Sequence, residues 1–260
     1  MNHPPLTITF LGTGTSSGVP MIGCSCSVCT SPDKKDNRLR SSILIESPTT
    51  TVAIDATPDF RYQMLREKVK KLDAIVFTHP HKDHIAGLDD VRAFNFFSGR
   101  SMKLYLNALT EKRLRQEYDY AFGENRYDGV PSLELFPIGG SVFTIGDIHF
   151  QPIHVWHHKM PVLGFRIGAF TYITDANRID NEEVEKINTS DTIVLNALRK
   201  EKHLSHFTLS EATALAQQMN IPHTWLTHIS HQMGNHEEIN AGLPDNIRLA
   251  YDGLKLQFPS

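Results

Sequence analysis

Thr78-His79-Pro80-His81-Lys82-Asp83-His84 crowds four metal-capable side chains into a single short stretch. Imidazole and carboxylate are ligands that zinc, manganese and iron accept, so the chemistry this stretch offers is that of a divalent metal site. A histidine-rich turn can also be plain solvated loop. The apolar run before it, Ala74-Ile75-Val76-Phe77, argues otherwise, because it reads as a buried strand whose end lets residues of alternating direction converge on one point.

A second group lies near the N-terminus, where Cys24, Cys26 and Cys29 form a C-x-C-x-x-C run that holds all 3 cysteines of the chain. An odd number of thiols in a reducing compartment points to metal rather than a disulfide, and clustered free thiols would be an oxidation liability. Three thiolates occupy three corners of a zinc tetrahedron. A histidine from elsewhere in the chain would complete it.

Further chemistry-bearing residues recur at the ends of strand-like runs. Asp55 follows Thr51-Val52-Ala53-Ile54, His228 follows Thr224-Trp225-Leu226-Thr227, and Asp175 follows Thr171-Tyr172-Ile173-Thr174. Asp175 reads either as a ligand or as a cap for the helix expected near Asp180. His154, His157 and His158 cluster after another such run, and His203 and His206 sit in a loop.

The elements that must position these groups alternate. Strands are expected at 6–11, 42–45, 51–55, 74–77, 102–106, 162–167, 169–174 and 192–195, and helices at 58–71, 84–97, 109–122 and 208–219. Short apolar runs separated by glycines over 133–150 suggest an antiparallel meander. This is an α/β pattern. The turn Gly12-Thr13-Gly14-Thr15-Ser16-Ser17-Gly18 invites a phosphate-cradling reading, but it lacks the Gly-Lys-Ser/Thr ending of a P-loop and no convincing helix follows. A tight structural turn is the better reading.

With 260 residues and no low-complexity linker, one domain spanning 1–260 is expected, with an ample core. Net charge is -3 and no basic stripe stands out, which argues against a dedicated nucleic-acid binder. The first residues lack a basic n-region, and their apolar run is too short for a signal peptide or a membrane span. A cytoplasmic protein without membrane association is expected.

On His79-x-His81-x-Asp83-His84, a later histidine, Asp175 and His228 in that order, the chain resembles the metallo-β-lactamase superfamily. It looks most like the PhnP-like branch, which contains a phosphoribosyl 1,2-cyclic phosphate phosphodiesterase. The shared marks are Leu11-Gly12-Thr13-Gly14-Thr15-Ser16-Ser17-Gly18-Val19-Pro20, the cysteine run after it, and Thr224-Trp225-Leu226-Thr227-His228-Ile229-Ser230-His231. The fold implied is an αββα sandwich, two mixed β-sheets packed face to face with helices outside.

The resemblance also implies roles. His79, His81 and His157 would hold one divalent metal, Asp83, His84 and His228 a second, and Asp175 would bridge them, with manganese or zinc as the metals. His157 is chosen over His154 and His158 because His-x-Lys precedes the Pro-Val-Leu-Gly-Phe strand. His231 would join Cys24, Cys26 and Cys29 around a structural zinc. His206 matches the family's active-site histidine that is not a ligand, and Asp55 would stand behind the ligands. The remaining histidines, His3, His149, His154, His158, His203, His223 and His236, are expected at the surface or in structural roles.

The implied activity is hydrolysis of a small cyclic phosphate. Two metals about 3.5–4 Å apart would activate a hydroxide for in-line attack, with Asp83 and His206 as proton-handling groups. Three alternatives share features. A transfer-RNA 3′-processing nuclease carries the catalytic motifs, but no long basic arm is evident here; a relative of the pyrroloquinoline quinone synthesis protein carries the cysteine run; a non-catalytic metal scaffold would tend to lose ligands. The resemblance further implies a homodimer.

Overall fold

The structure is a computed structural model that describes residues 4–123 and 129–259. In one sheet, β1 (Leu6–Gly12), β2 (Ser42–Glu46) and β3 (Thr51–Ile54) are antiparallel neighbours, and β4 (Ala74–Val76), β5 (Met102–Leu106) and β6 (Leu133–Pro137) continue it in parallel. The other sheet contains β7 (Phe143–Ile145), β8 (Ile148–His157), β9 (Met160–Ile167), β10 (Phe170–Tyr172), β11 (Arg178–Ile179), β12 (Thr192–Asn196), β13 (His223–Thr227) and β14 (Ile247–Leu249). Its spatial order is β11-β8-β9-β10-β12-β13-β14, with β7 paired to β8. The last strand, β15 (Lys255–Phe258), crosses back and pairs antiparallel with β1.

Strand side chains alternate between faces, so an uninterrupted apolar run must be buried on both. In β2, Ile43 and Ile45 pack with Phe150, Phe165 and Tyr172 of the facing sheet, whereas Leu44 packs with Phe60, Phe77 and Leu104 under the helices. In β12, Val194 joins the layer between the sheets while Ile193 and Leu195 face Ala212 and Ile239. The first sheet is covered by α1 (Phe60–Arg66), α2 (Lys82–Ile85), α3 (Arg92–Ser98), α4 (Ala108–Glu117) and α5 (Asp119–Phe122); the second by α6 (Asn181–Ile187), α7 (Leu209–Met219) and α8 (His236–Ala241). The result is the αββα sandwich of mixed sheets expected from the sequence.

Several elements differ from expectation. The helix read over 58–71 is shorter, Phe60–Arg66, and the chain leaves it through Lys68 at φ 56°. The helix read over 84–97 is broken near Gly87, where a Cβ would lie 1.9 Å from Thr57 O and 2.6 Å from Phe60 Cβ, so glycine is what lets the chain pass this close to the start of α1. The helix over 109–122 is divided at Tyr118, whose hydroxyl donates to Ile85 O at 2.8 Å. No meander forms over 133–150: β6 runs parallel to β5, and the antiparallel hairpin starts only at Phe143. Among the described residues no helix is long and apolar enough to cross a membrane.

Candidate metal centres

The parallel strands deliver their carboxyl ends to one place. Asp55 follows β3, the histidine loop follows β4, Asp175 lies beyond β10 and His228 follows β13, while β8 ends at His157. Asp55, Asp175 and His228 all adopt positive φ, 67°, 52° and 57°. Non-glycine residues pay about 1–2 kcal/mol for that conformation, so the fold accepts local strain to turn these side chains inward.

Within the loop, His79 Nδ1 meets Thr78 Oγ1 at 2.9 Å, which leaves Nε2 free to face His81 Nδ1 at 3.1 Å. The His157 ring packs on both, with centroids 5.8 Å from His79 and 5.0 Å from His81. Its Nδ1–H donates to Ser205 O at 2.8 Å, so its Nε2 carries the lone pair. His154 and His158 are exposed, and each engages a neighbour through its backbone N–H, Glu183 and Asn177 respectively.

On the other side, His84 Nδ1 donates to Asp55 Oδ2 at 2.7 Å. Its Nε2 then lies 2.9 Å from Asp175 Oδ2 and 3.3 Å from Asp83 Oδ2. His228 Nε2 is 3.0 Å from Asp175 Oδ1. Both Asp175 oxygens thus contact imidazoles on this side, while a donor of His79 and a donor of His157 each come within 4.8 Å of it. Donor atoms within 4.8 Å of one another fall into three overlapping groups: His79, His84 and Asp175; Asp83, His84 and His228; and His157, Asp175 and His206. His206, expected beside the ligands, therefore sits at ligand distance itself, with Nδ1 3.4 Å from Asp175 Oδ1.

Burial and charge oppose one another here. Burial would raise the Asp175 carboxyl, but His228 and His84 hold it well below the usual carboxylate range, and Asp83 is likewise lowered by His84 against its burial. Burial would lower His84, yet Asp175, Asp83 and Asp55 carry it well above the usual histidine value. Burial depresses His79, His81 and His228, and it pushes His206 to about 2 with help from His228. Such a site concentrates charge that needs a counterion. His206 Nδ1 and His228 Nδ1 are buried without a hydrogen-bond partner, and the mixed nitrogen and oxygen donors are those that zinc or manganese accepts. The residues present fit divalent metal ions.

The cysteine group is separate. His231 Nδ1 lies 3.4 Å from both Cys24 Sγ and Cys26 Sγ, and Cys29, whose Sγ accepts from Met21 N–H, completes the group. The contact with His231 pulls Cys26 down to about 6. These four donors also match a tetrahedral zinc site. Of the remaining histidines, His236 is buried and accepts from Arg38, His203 packs at a tilt against His206 with centroids 5.1 Å apart, and His3 lies outside the described residues.

Sequence reasoning missed three supporting residues. Thr78 donates to Asp55 through both N–H and Oγ1, Ser205 orients His157, and Thr15 touches His228. Only Thr78, next to His79, carried a local signal.

Residues 50–229 match the sequence profile of the beta-lactamase superfamily domain. A crystal structure described as a new diphosphatase from the PhnP family is 42% identical, with a TM-score of 0.92 over 98% of this chain and 97% of that one. An octanoyltransferase of Porphyromonas gingivalis is 37% identical over 94% of this chain, which spans about half (50%) of that relative's length. Zinc-bound PqqB from Methylobacterium extorquens is 18% identical with a TM-score of 0.76 over 97% of this chain and 100% of that one, a likeness of fold.

Proposed function

The chain belongs to the beta-lactamase superfamily, and from that membership we propose that this hydrolase is a metal-dependent phosphodiesterase acting on a small cyclic phosphate, such as a phosphoribosyl cyclic phosphate. The observation that carries the reading is the position of Asp175, whose Oδ2 and Oδ1 lie 2.9 Å and 3.0 Å from His84 and His228, and which falls within 4.8 Å of a donor of His79 and of His157 from the other group.

His79, His81 and His157 would hold one divalent cation, and Asp83, His84 and His228 the other, with Asp175 shared. Zinc or manganese bound there supplies an acidified water and neutralises phosphoryl charge. Asp83 stays ionised and accepts a proton from the attacking water. Neutral His206 offers an N–H to a phosphoryl oxygen or to the leaving oxygen, a contribution typically of about 10²–10⁴ in rate. Cys24, Cys26, Cys29 and His231 would hold a structural zinc and take no part in the chemistry.

Hydrolysis of bis(p-nitrophenyl) phosphate and of a ribosyl 1,2-cyclic phosphate, lost in Asp83→Ala, is the test. The same assay carries a diphosphate ester, prompted by the similar diphosphatase, a precursor transfer RNA, and an octanoyl thioester, prompted by the relative twice this length. Turnover of the thioester or the RNA without any of a phosphodiester small molecule would overturn the proposal.

A further inference from the structure

The glycine-rich turn after β1 is a clamp on the strand end that bears His228. Gly14 bridges to Arg40 on one side and to Ile229 on the other. Thr15 N–H donates to Ile229 O at 3.1 Å, and Ile229 N–H to Thr13 O at 2.9 Å. A Cβ at Gly14 would stand 2.8 Å from Arg38 O, so glycine is what permits the approach. The clamp presses one hydroxyl into the centre: Thr15 is only 7% exposed, and its Oγ1 lies 3.2 Å from His228 Nε2.

That nitrogen is also the one 3.0 Å from Asp175 Oδ1, so it is the atom a cation in the centre would engage. Whichever of the two groups carries the proton, a cation on Nε2 ends its hydrogen bond with Thr15. Among the described residues the hydroxyl has no other partner. A buried hydroxyl left without one costs about 1–3 kcal/mol, so the loaded centre needs an acceptor at this spot.

We propose that Thr15 is a substrate-contacting residue, its hydroxyl donating to a non-bridging phosphoryl oxygen of the ester once His228 holds a cation. The inference rests on the phosphodiesterase reading and adds a donor on the side of Asp175 where His228 lies. The glycine turn recognises phosphate through one threonine side chain, delivered by a backbone clamp.

Thr15→Val removes the hydroxyl at nearly constant shape, and Thr15→Ser restores it. The probe is inorganic phosphate, titrated calorimetrically into the metal-loaded proteins, with metal content, melting temperature, kcat and KM measured alongside. Thr15→Val is expected to keep its metals and its melting temperature, to bind phosphate roughly tenfold more weakly and to lose about 10-fold or more in kcat/KM, as for one lost charge-assisted hydrogen bond. Thr15→Ser should return within about threefold of the parent protein. Unchanged phosphate binding in Thr15→Val overturns this inference alone, as does a loss explained by lost metal. A parent protein that holds its metals yet neither binds phosphate nor hydrolyses a phosphodiester overturns the phosphodiesterase reading, and this inference with it.

Discussion

The Asp55 carboxylate accepts a 2.7 Å hydrogen bond from His84 Nδ1, and both side chains are wholly buried. Thr78 fixes the same carboxylate with two further hydrogen bonds of 2.8 Å. The pair sets the tautomer and direction of His84, so that Nε2 faces Asp83 and Asp175.

Asp55→Ala should therefore weaken divalent-metal binding at the histidine centre by about 10–100-fold, the usual effect of losing a residue that orients a ligand. Competition against a chelator measures this, with the cysteine-bound zinc as internal reference. Unchanged affinity would mean that His84 is held by its packing alone.

His236 supplies a pH dependence remote from the centre. Burial and the adjacent Arg38 guanidinium, 3.0 Å away, push its imidazole down to about 4, so the fold requires it neutral. The unfolded chain protonates near pH 6.5, hence the stabilisation is complete above that value and is lost as pH falls toward 4. About 3 kcal/mol is at stake. Urea unfolding at pH 7 and pH 4.5 should show a smaller difference for His236→Gln than for the parent protein. Equal differences would contradict the assignment.

Cys26→Ser should remove about one zinc per chain and lower the melting temperature, since structural zinc contributes directly to folding. Turnover should fall less than in His81→Ala. Complete and equal loss in both variants, with folding intact, would place the cysteines in the catalytic centre.

The Gly87 turn is set by contact. Gly87→Ala puts a methyl 1.9 Å from Thr57 O, and either the backbone or α1 must move. A loss of about 1–3 kcal/mol is expected, read as a lowered denaturation midpoint. An unchanged midpoint would show that the turn relaxes freely.

That β2 is buried on both faces follows from Ile43, Leu44 and Ile45 all being apolar, whereas the order of the layers came from the resemblance rather than from this pattern. The clustering of His79, His81, Asp83 and His84 was equally plain, since local spacing alone brings it about. What could not be read depends on distant contacts. The close approach of Gly87 depends on Thr57 and Phe60, the parallel pairing of β6 on its neighbour β5, and the return of β15 on pairing with β1. Asp55 lies 29 positions from His84 and Thr15 lies 213 from His228, so neither partnership has a local signature. The approach of His206 to Asp175 is of the same kind, set by the loop between β12 and α7.

Metal content per chain, measured by mass spectrometry on gently purified protein, tests the central claim most directly. The geometry of Asp175 and of the cysteine group predicts about three metals, the one held with His81 lost in His81→Ala and the one held by the cysteines lost in Cys26→Ser. A single metal, retained only through the cysteines even after zinc or manganese is added back, would contradict a working dinuclear centre and leave the chain a metal-bound scaffold.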